Sequence, residues 1–209
     1  MAKQALGRYS GRVDKALPSR RDELLELAAS MFAERGLRAT TVRDIADSAG
    51  ILSGSLYHHF KSKEQMVEEV LRDFLDWLFT RYEEIVEGEA DPLERVKGLF
   101  MTSFEAIEHR HAQVVIYQDE AKRLTALPQF AFVDARNREQ RKMWVDVLKQ
   151  GVADGSFRPD LDVDLVYRFI RDTTWVSVRW YQPGGPLTAE QVGRHYLAIV
   201  LGGITKEGD

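Results

Sequence analysis

Apolar positions in this chain recur at steps of three and four residues almost from end to end, the spacing of one face of an α-helix. Between Ser19 and Gly36 they are Leu24, Leu27, Ala28, Met31 and Phe32. A longer stripe starts at Lys63, runs through Val67, Val70, Leu71, Phe74, Trp77, Leu78 and Ile85, and fades at Glu87-Gly88. Pro92 opens another through Leu93, Val96, Phe100 and Ile107. Further helices are predicted near 112–124, 129–153, 162–180 and 188–203, separated by Pro128, by Arg158-Pro159 and by Pro183-Gly184-Gly185-Pro186. Four starts carry a Ser or Thr followed three residues later by an acid or amide: Ser19/Asp22, Thr41/Asp44, Ser62/Gln65 and Thr188/Gln191. Such pairs can satisfy the free first-turn amides reciprocally. No stretch alternates with period two. The pattern predicts an all-α chain of about nine helices.

One stretch breaks the long periodicities: "TTVRDIADSAGILSGSLYHHFKSKEQM", residues 40–66. It reads as two short helices, 41–48 and roughly 52–58, joined by a turn at Gly50 that needs a positive φ. Ala46 and Ala49 are small enough for close crossing, while Val42, Ile45, Ile51 and Leu56 supply an apolar seam. That is the layout of a helix-turn-helix, whose second helix enters the DNA major groove. Its outward residues must be small or hydrogen-bonding, as Ser53, Gly54, Ser55, Tyr57 and His58 are. Lys63 and the amides after Ser62 suit a phosphate where the next helix begins. Short helix pairs also occur in bundles that bind no DNA, so spacing alone leaves both readings open.

Composition changes the picture through its distribution. The net charge of −4 argues against a polyanion partner. Yet residues 1–65 hold 11 Lys/Arg against 8 Asp/Glu. Lys3, Arg8, Arg12, Lys15, Arg20 and Arg21 face only Asp14, so residues 1–18 read as a basic, flexible arm that seeks a polyanion or merely solubilises the chain. Absence of cysteine excludes disulfides and thiolate metal sites and suits a reducing compartment. No apolar run has the length of a leader or a membrane span, so a cytoplasmic protein with no membrane partner is expected.

"FAERGLRATTVRDIADSAGILSGSLYHHFKSKEQM" resembles the DNA-binding domain of the TetR family of bacterial repressors. The markers are Phe32, Gly36, Thr40-Thr41, Ile45-Ala46, Ala49-Gly50, Leu56-Tyr57, Phe60 and Lys63. The resemblance implies an N-terminal three-helix helix-turn-helix domain over 19–78 and a ligand-binding and dimerisation bundle over 79–209. It also implies that Thr41, Ser55, Tyr57 and Lys63 hold phosphates, and that Arg43, Ser53, Gly54 and His58 lie near base edges. Leu52 stands where the family carries a capping residue. The cap then falls to Ser53 or is missing, and Leu52 is free to touch a thymine methyl.

Beyond residue 73 the chemistry turns aromatic, with all four tryptophans (Trp77, Trp144, Trp175, Trp180) in this part. Most are expected to be core. Tyr167, Arg171, Trp175 and Arg179 form a stripe at four-residue steps that suits a flat ring plus a phosphate-bearing group, or equally a surface cation–π row. Phe74, Trp77, Leu78, Phe100, Phe104 and Trp144 are the other candidates for a ligand pocket. For a two-fold dimer the candidates are Leu165, Phe169, Val176 and Trp180 on one helix and Val192, Tyr196, Ile199 and Gly203 on the next. "GILSGSLYHHF" with "DLVYRFIRDTTWVSVRWYQPGGPLTAEQV" is similar to a TetR sub-family of actinobacterial repressors of late cholesterol catabolism. The effector implied is a coenzyme A thioester of a steroid-ring fragment.

Enzyme readings fare poorly. Glu108-x-x-His111 has the spacing of a di-iron site, but no second copy exists, so a solvated helix end is expected. His58 and His59 diverge by about 100° on a helix and cannot chelate together. No Gly-rich phosphate loop and no Gly-x-Ser-x-Gly elbow occurs. No metal and no cofactor are expected. The reading is a ligand-released, dimeric repressor on a pseudo-palindromic operator. The alternatives are a TetR-type regulator of fatty-acyl metabolism or efflux, and a helical carrier without DNA activity.

Overall fold

Ser19 opens the first helix as its spacing requires. Its hydroxyl accepts from the Asp22 amide while the Asp22 carboxylate takes the Ser19 amide. The same reciprocal cap at Thr41/Asp44 and Thr188/Gln191 starts two further helices. Ser62/Gln65 differs in one respect, because the Gln65 side chain reaches back to the amide of Lys61. The computed structural model describes residues 19–205 except 89, 90 and 125, and no structure is described for the basic arm expected at residues 1–18.

Nine α-helices lie among the described residues: α1 Arg20–Arg35, α2 Val42–Ser48, α3 Ser53–His59, α4 Lys63–Gly88, α5 Pro92–His109, α6 His111–Leu124, α7 Ala131–Ala153, α8 Val163–Val176 and α9 Ala189–Ile204. A 3₁₀ turn precedes α7, and another, Ser177–Arg179, ends α8 before the predicted 180. The chain is all-α; the only strand-like pairing described is an isolated bridge between Phe157 and Thr205. None of the described helices is long and apolar enough to cross a membrane.

The helices α1 to α3 pack through Leu24, Phe32, Ile45, Ala46 and Leu56, all buried. Gly50 supplies the positive φ of the α2–α3 turn at +68°, as the spacing predicts. Phe60, buried between α3 and α4, lies 4.5 Å beneath the Arg21 guanidinium, which also pairs with Glu69 at 2.7 Å. These contacts fix α3 to the start of α4.

The helix α4 runs 26 residues, about 39 Å, from this domain into the second bundle, where α5 packs against α4, α7 and α9. Glu108 is not the solvated helix end expected from sequence. Its carboxylate accepts from the Tyr181 hydroxyl and, at 2.7 Å, from the Ala189 amide at the start of α9. These bonds hold the Glu108 carboxyl below the ordinary carboxylate range, and burial with the same bond pushes Tyr181 up to about 12. A depressed carboxyl pKa adds stability above its unfolded value, about 4.3, that is lost as pH falls through the folded one. Thermal melts between pH 6 and 3 should therefore decline less steeply for Glu108→Gln than for the parent chain.

Two dimer candidates turn inward. Val192 is buried and Tyr196 is half-buried, its ring 5.8 Å from Phe104 of α5. The stripe through Val192, Tyr196, Ile199 and Gly203 lies at the edge of the contact with α5. Its first half is covered and its second half is bare: Ile199 is 75% exposed. On α8 the expected face is bare throughout, with Leu165, Phe169 and Val176 exposed and Trp180 exposed just beyond.

Candidate functional site

Among the described residues nothing covers the outward face of α3. Leu52 is 80% exposed, and Gly54, Ser55, Tyr57 and His58 are exposed. Leu52 takes the N-cap position without a side-chain hydrogen bond, and Ser53 does not replace it, so the side-chain cap is missing. A Cβ placed on Gly54 would touch no atom within 4 Å. Packing inside the subunit therefore does not require glycine there. Arg43 is exposed on α2, where it makes a 3.7 Å pair with Asp47 between two exposed side chains. Such a pair is worth little and leaves Arg43 easy to re-aim.

Two candidates on this face already have internal work. Thr41 is committed to its cap with Asp44. Lys63 donates to the carbonyls of Leu37 at 2.6 Å and Thr40 at 2.9 Å, closing the α1–α2 loop onto the start of α4. One of its three N–H groups is left for an external acceptor.

A second site opens between α6, α7 and α8. Tyr117, Gln118, Asp134, Asn137, Arg138, Gln140, Arg141, Tyr167, Arg171, Asp172 and Trp175 line a partly open cavity of about 580 Å³. Tyr167 and Trp175 are buried at its wall and Arg171 stands at its rim. The ring under the Arg171 guanidinium is Tyr167, at 5.7 Å, rather than the neighbouring indole. The fourth member, Arg179, lies on the 3₁₀ turn and pairs with Asp119 outside the cavity. Arg141 is paired with Asp164 and Arg171 with Asp172. Burial of the Tyr117 and Tyr167 rings raises both phenols above their ordinary value, so they remain neutral donors.

The remaining pocket candidates divide. Phe74 stands behind the wall, 5.8 Å from Tyr117 and edge-on to Trp175 at 6.3 Å. Trp144 lines a narrow inner extension. Trp77 does not face the cavity. It is half-exposed with the guanidinium groups of Arg81 and Arg110 over its ring, because Arg110 is drawn there by Asp73. Leu78, Phe100 and Phe104 are buried in the core, the last two 5.3 Å apart.

Sequence reasoning missed the α6 and α7 wall. Its signal was present in the run from Asp134 to Arg141, polar at every position but Ala135, in which the Gln140 amide is buried. Among the described residues no group of three His, Cys, Asp or Glu side chains is placed to hold a metal.

A helix-turn-helix with a bare recognition face, joined by one long helix to a bundle with its own cavity, defines a two-domain DNA-binding regulator. The chain belongs to the TetR family: residues 24–70 match the model of bacterial regulatory proteins, tetR family, and residues 89–204 that of the tetracyclin repressor-like C-terminal domain. It is 83% identical over 192 residues to the HTH-type transcriptional repressor KstR2 of Mycolicibacterium smegmatis, covering 91% of this chain and 94% of that one. Its identity to KstR2 of Mycobacterium tuberculosis strain H37Rv is 75% over 203 residues, covering 97% and 100%. The structure of the latter species' ketosteroid transcriptional regulator KstR2 superposes with a TM-score of 0.90 at 77% identity, over 94% of this chain and all of that chain. A more distant structure, AibR in complex with isovaleryl coenzyme A and operator DNA, gives 0.76 at 25% identity over 87% and 97%. The chain is thus a TetR-type transcriptional repressor and not an enzyme.

Proposed function

We propose that the protein represses genes of lipid and steroid breakdown in the cytoplasm, binding a pseudo-palindromic operator as a homodimer and leaving it when a coenzyme A thioester enters the cavity. The observation that carries this reading is the chemistry of the 580 Å³ cavity, where Arg138, Arg141 and Arg171 ring an aromatic wall of Tyr117, Tyr167 and Trp175. Guanidinium groups suit the phosphates of the nucleotide end, and the aromatic wall suits an apolar acyl group. The ketosteroid named for the M. tuberculosis relative favours a steroid-ring acyl part; the isovaleryl coenzyme A of AibR favours the thioester class itself.

Release needs a ligand that prefers the non-binding conformation. Trp175 and Tyr117 touch Phe74 of α4, and α4 begins at Lys63, three residues after Phe60 at the end of α3. The cavity helix α6 also packs on α1, giving a second mechanical route. Ligand pushing on this wall tilts α4 and changes the spacing of two recognition helices, which the DNA holds near 34–36 Å or a multiple. Operator DNA titrated in fluorescence anisotropy, with steroid-fragment and short-chain acyl thioesters added, tests the reading. No release by any acyl thioester would end it.

On the DNA face, Gly54→Ala separates contact from packing. Alanine is the better helix former by about 1 kcal/mol and meets no neighbour, so the melting temperature should hold or rise. Operator affinity should fall by about tenfold if backbone approaches backbone there. Unchanged affinity would remove Gly54 from the interface.

A further inference from the structure

Among the described residues of the first domain, the exposed large apolar side chains are Leu52 and Tyr57; the others, from Leu127 to Ile199, belong to the second bundle. Tyr57 carries a hydroxyl that can hold a phosphate. Leu52 carries nothing that can hydrogen-bond, and at 80% exposure it is the most accessible of the set. A single exposed leucine needs no explanation by itself. Its position does.

Leu52 is the N-cap of α3, where a serine, threonine, asparagine or aspartate would bond a first-turn amide. The neighbouring α2 has such a cap in Thr41, as α1 and α9 have in Ser19 and Thr188. At α3 only the Leu52 backbone serves, its carbonyl accepting from the Ser55 and Leu56 amides at 2.9 and 3.3 Å. Leucine here gives up helix stability and also leaves an apolar side chain in water. A local rule broken twice at one residue, beside the recognition face, marks a functional position.

The surroundings identify what covers the side chain. The exposed cations Arg38, Arg43 and Lys61 flank it in sequence, and Gly54, Ser55, Tyr57 and His58 are exposed beside it. In a helix-turn-helix the first residues of the recognition helix reach base edges in the major groove. Most groups on those edges are nitrogens and oxygens, which lose hydrogen bonds to water when an apolar side chain covers them. The exception is the 5-methyl group of thymine.

We infer that Leu52 is a specificity-determining residue that reads one thymine in each half-site through its 5-methyl group. The inference rests on the operator-binding reading above and narrows it. Leu52 disfavours the other bases at that position by offering their polar edges no partner. The missing cap follows from the same role. A serine at this position would turn its hydroxyl back to the helix amides and leave the methyl group uncovered.

The test uses a duplex operator selected by the full chain from random sequence, and a series in which each symmetric pair of thymines is replaced by deoxyuridine. Deoxyuridine keeps every hydrogen-bonding group of thymidine and lacks only the methyl. At one pair the affinity of the parent chain should fall by about tenfold, roughly three- to fourfold per half-site. Leu52→Ser should bind the thymine operator as weakly as the parent binds that uracil operator, and should be indifferent to the replacement. Leu52→Met should keep the preference. The melting temperature of Leu52→Ser should hold or rise by about 2–4 °C, because a side-chain cap is restored. That readout separates a lost contact from a damaged fold. Unchanged affinity of the parent chain across the whole uracil series would overturn the inference and leave operator binding standing; this arm needs no variant. Sensitivity to uracil that persists in Leu52→Ser would also overturn it, since another residue would then read the methyl group. Failure of the parent chain to select any duplex would overturn both readings together.

Discussion

Replacing Phe169 and Ile199 together by glutamate is expected to leave the subunit folded, make it monomeric, and reduce operator affinity by about 10²–10⁴-fold. Phe169 is 62% exposed on α8 and Ile199 75% exposed on α9, so neither substitution opens the core. Leu165, Val176 and Trp180 share the bare faces of this end of the molecule, and Ala198, Gly202 and Gly203 leave α9 smooth enough for close approach. Contiguous apolar surface of this kind marks an interface, and a two-fold pairing buries each face against its own copy. A buried carboxylate without a partner would be strongly opposed. The loss on DNA follows because a dimer engages two half-sites with one event of association. Sedimentation of both proteins at micromolar concentration, beside operator titrations, checks the result. A monomeric parent chain, or a double variant that still dimerises, would rule out this face.

Arg171→Ala is expected to leave operator affinity unchanged and to raise the thioester concentration needed for half-release by about ten- to a hundredfold. That range corresponds to the loss of one hydrogen-bonded ionic contact. Arg171 stands at the cavity rim, held in place by Asp172 at 2.7 Å and by the Tyr167 ring beneath it. It touches no residue of α1 to α3 in any described contact, so DNA affinity has no reason to move. Trp175→Ala should also lose the response, but less cleanly. Phe74 and Tyr117 lean on that indole, and its removal should cost about 3–5 kcal/mol of stability. Release curves for Arg171→Ala that overlay those of the parent chain would remove this arginine from the site.

The features readable in the chain were those decided within a few residues. The caps at Ser19, Thr41 and Thr188, the positive φ at Gly50 and the proline breaks lie within one turn of the residues they govern. The helix-turn-helix was readable for the same reason, since its seam and its bare face alternate within about twenty residues. The stripe of Tyr167, Arg171 and Trp175 was readable as a face of α8, but not which helices stood opposite it.

That choice belonged to tertiary structure. The opposing wall comes from Tyr117 on α6 and from α7 between Asp134 and Arg141, some thirty to fifty residues earlier, and only packing brings them together. The same holds for Lys63, whose ammonium is taken by carbonyls more than twenty residues away, and for Trp77, turned outward by Arg81 and Arg110. It holds too for Glu108, whose partners lie beyond residue 180. Periodicity fixes which side chains share a face of a helix. Which neighbour covers that face is set by how helices distant in sequence fill one core, and along α9 the answer changes between Tyr196 and Ile199.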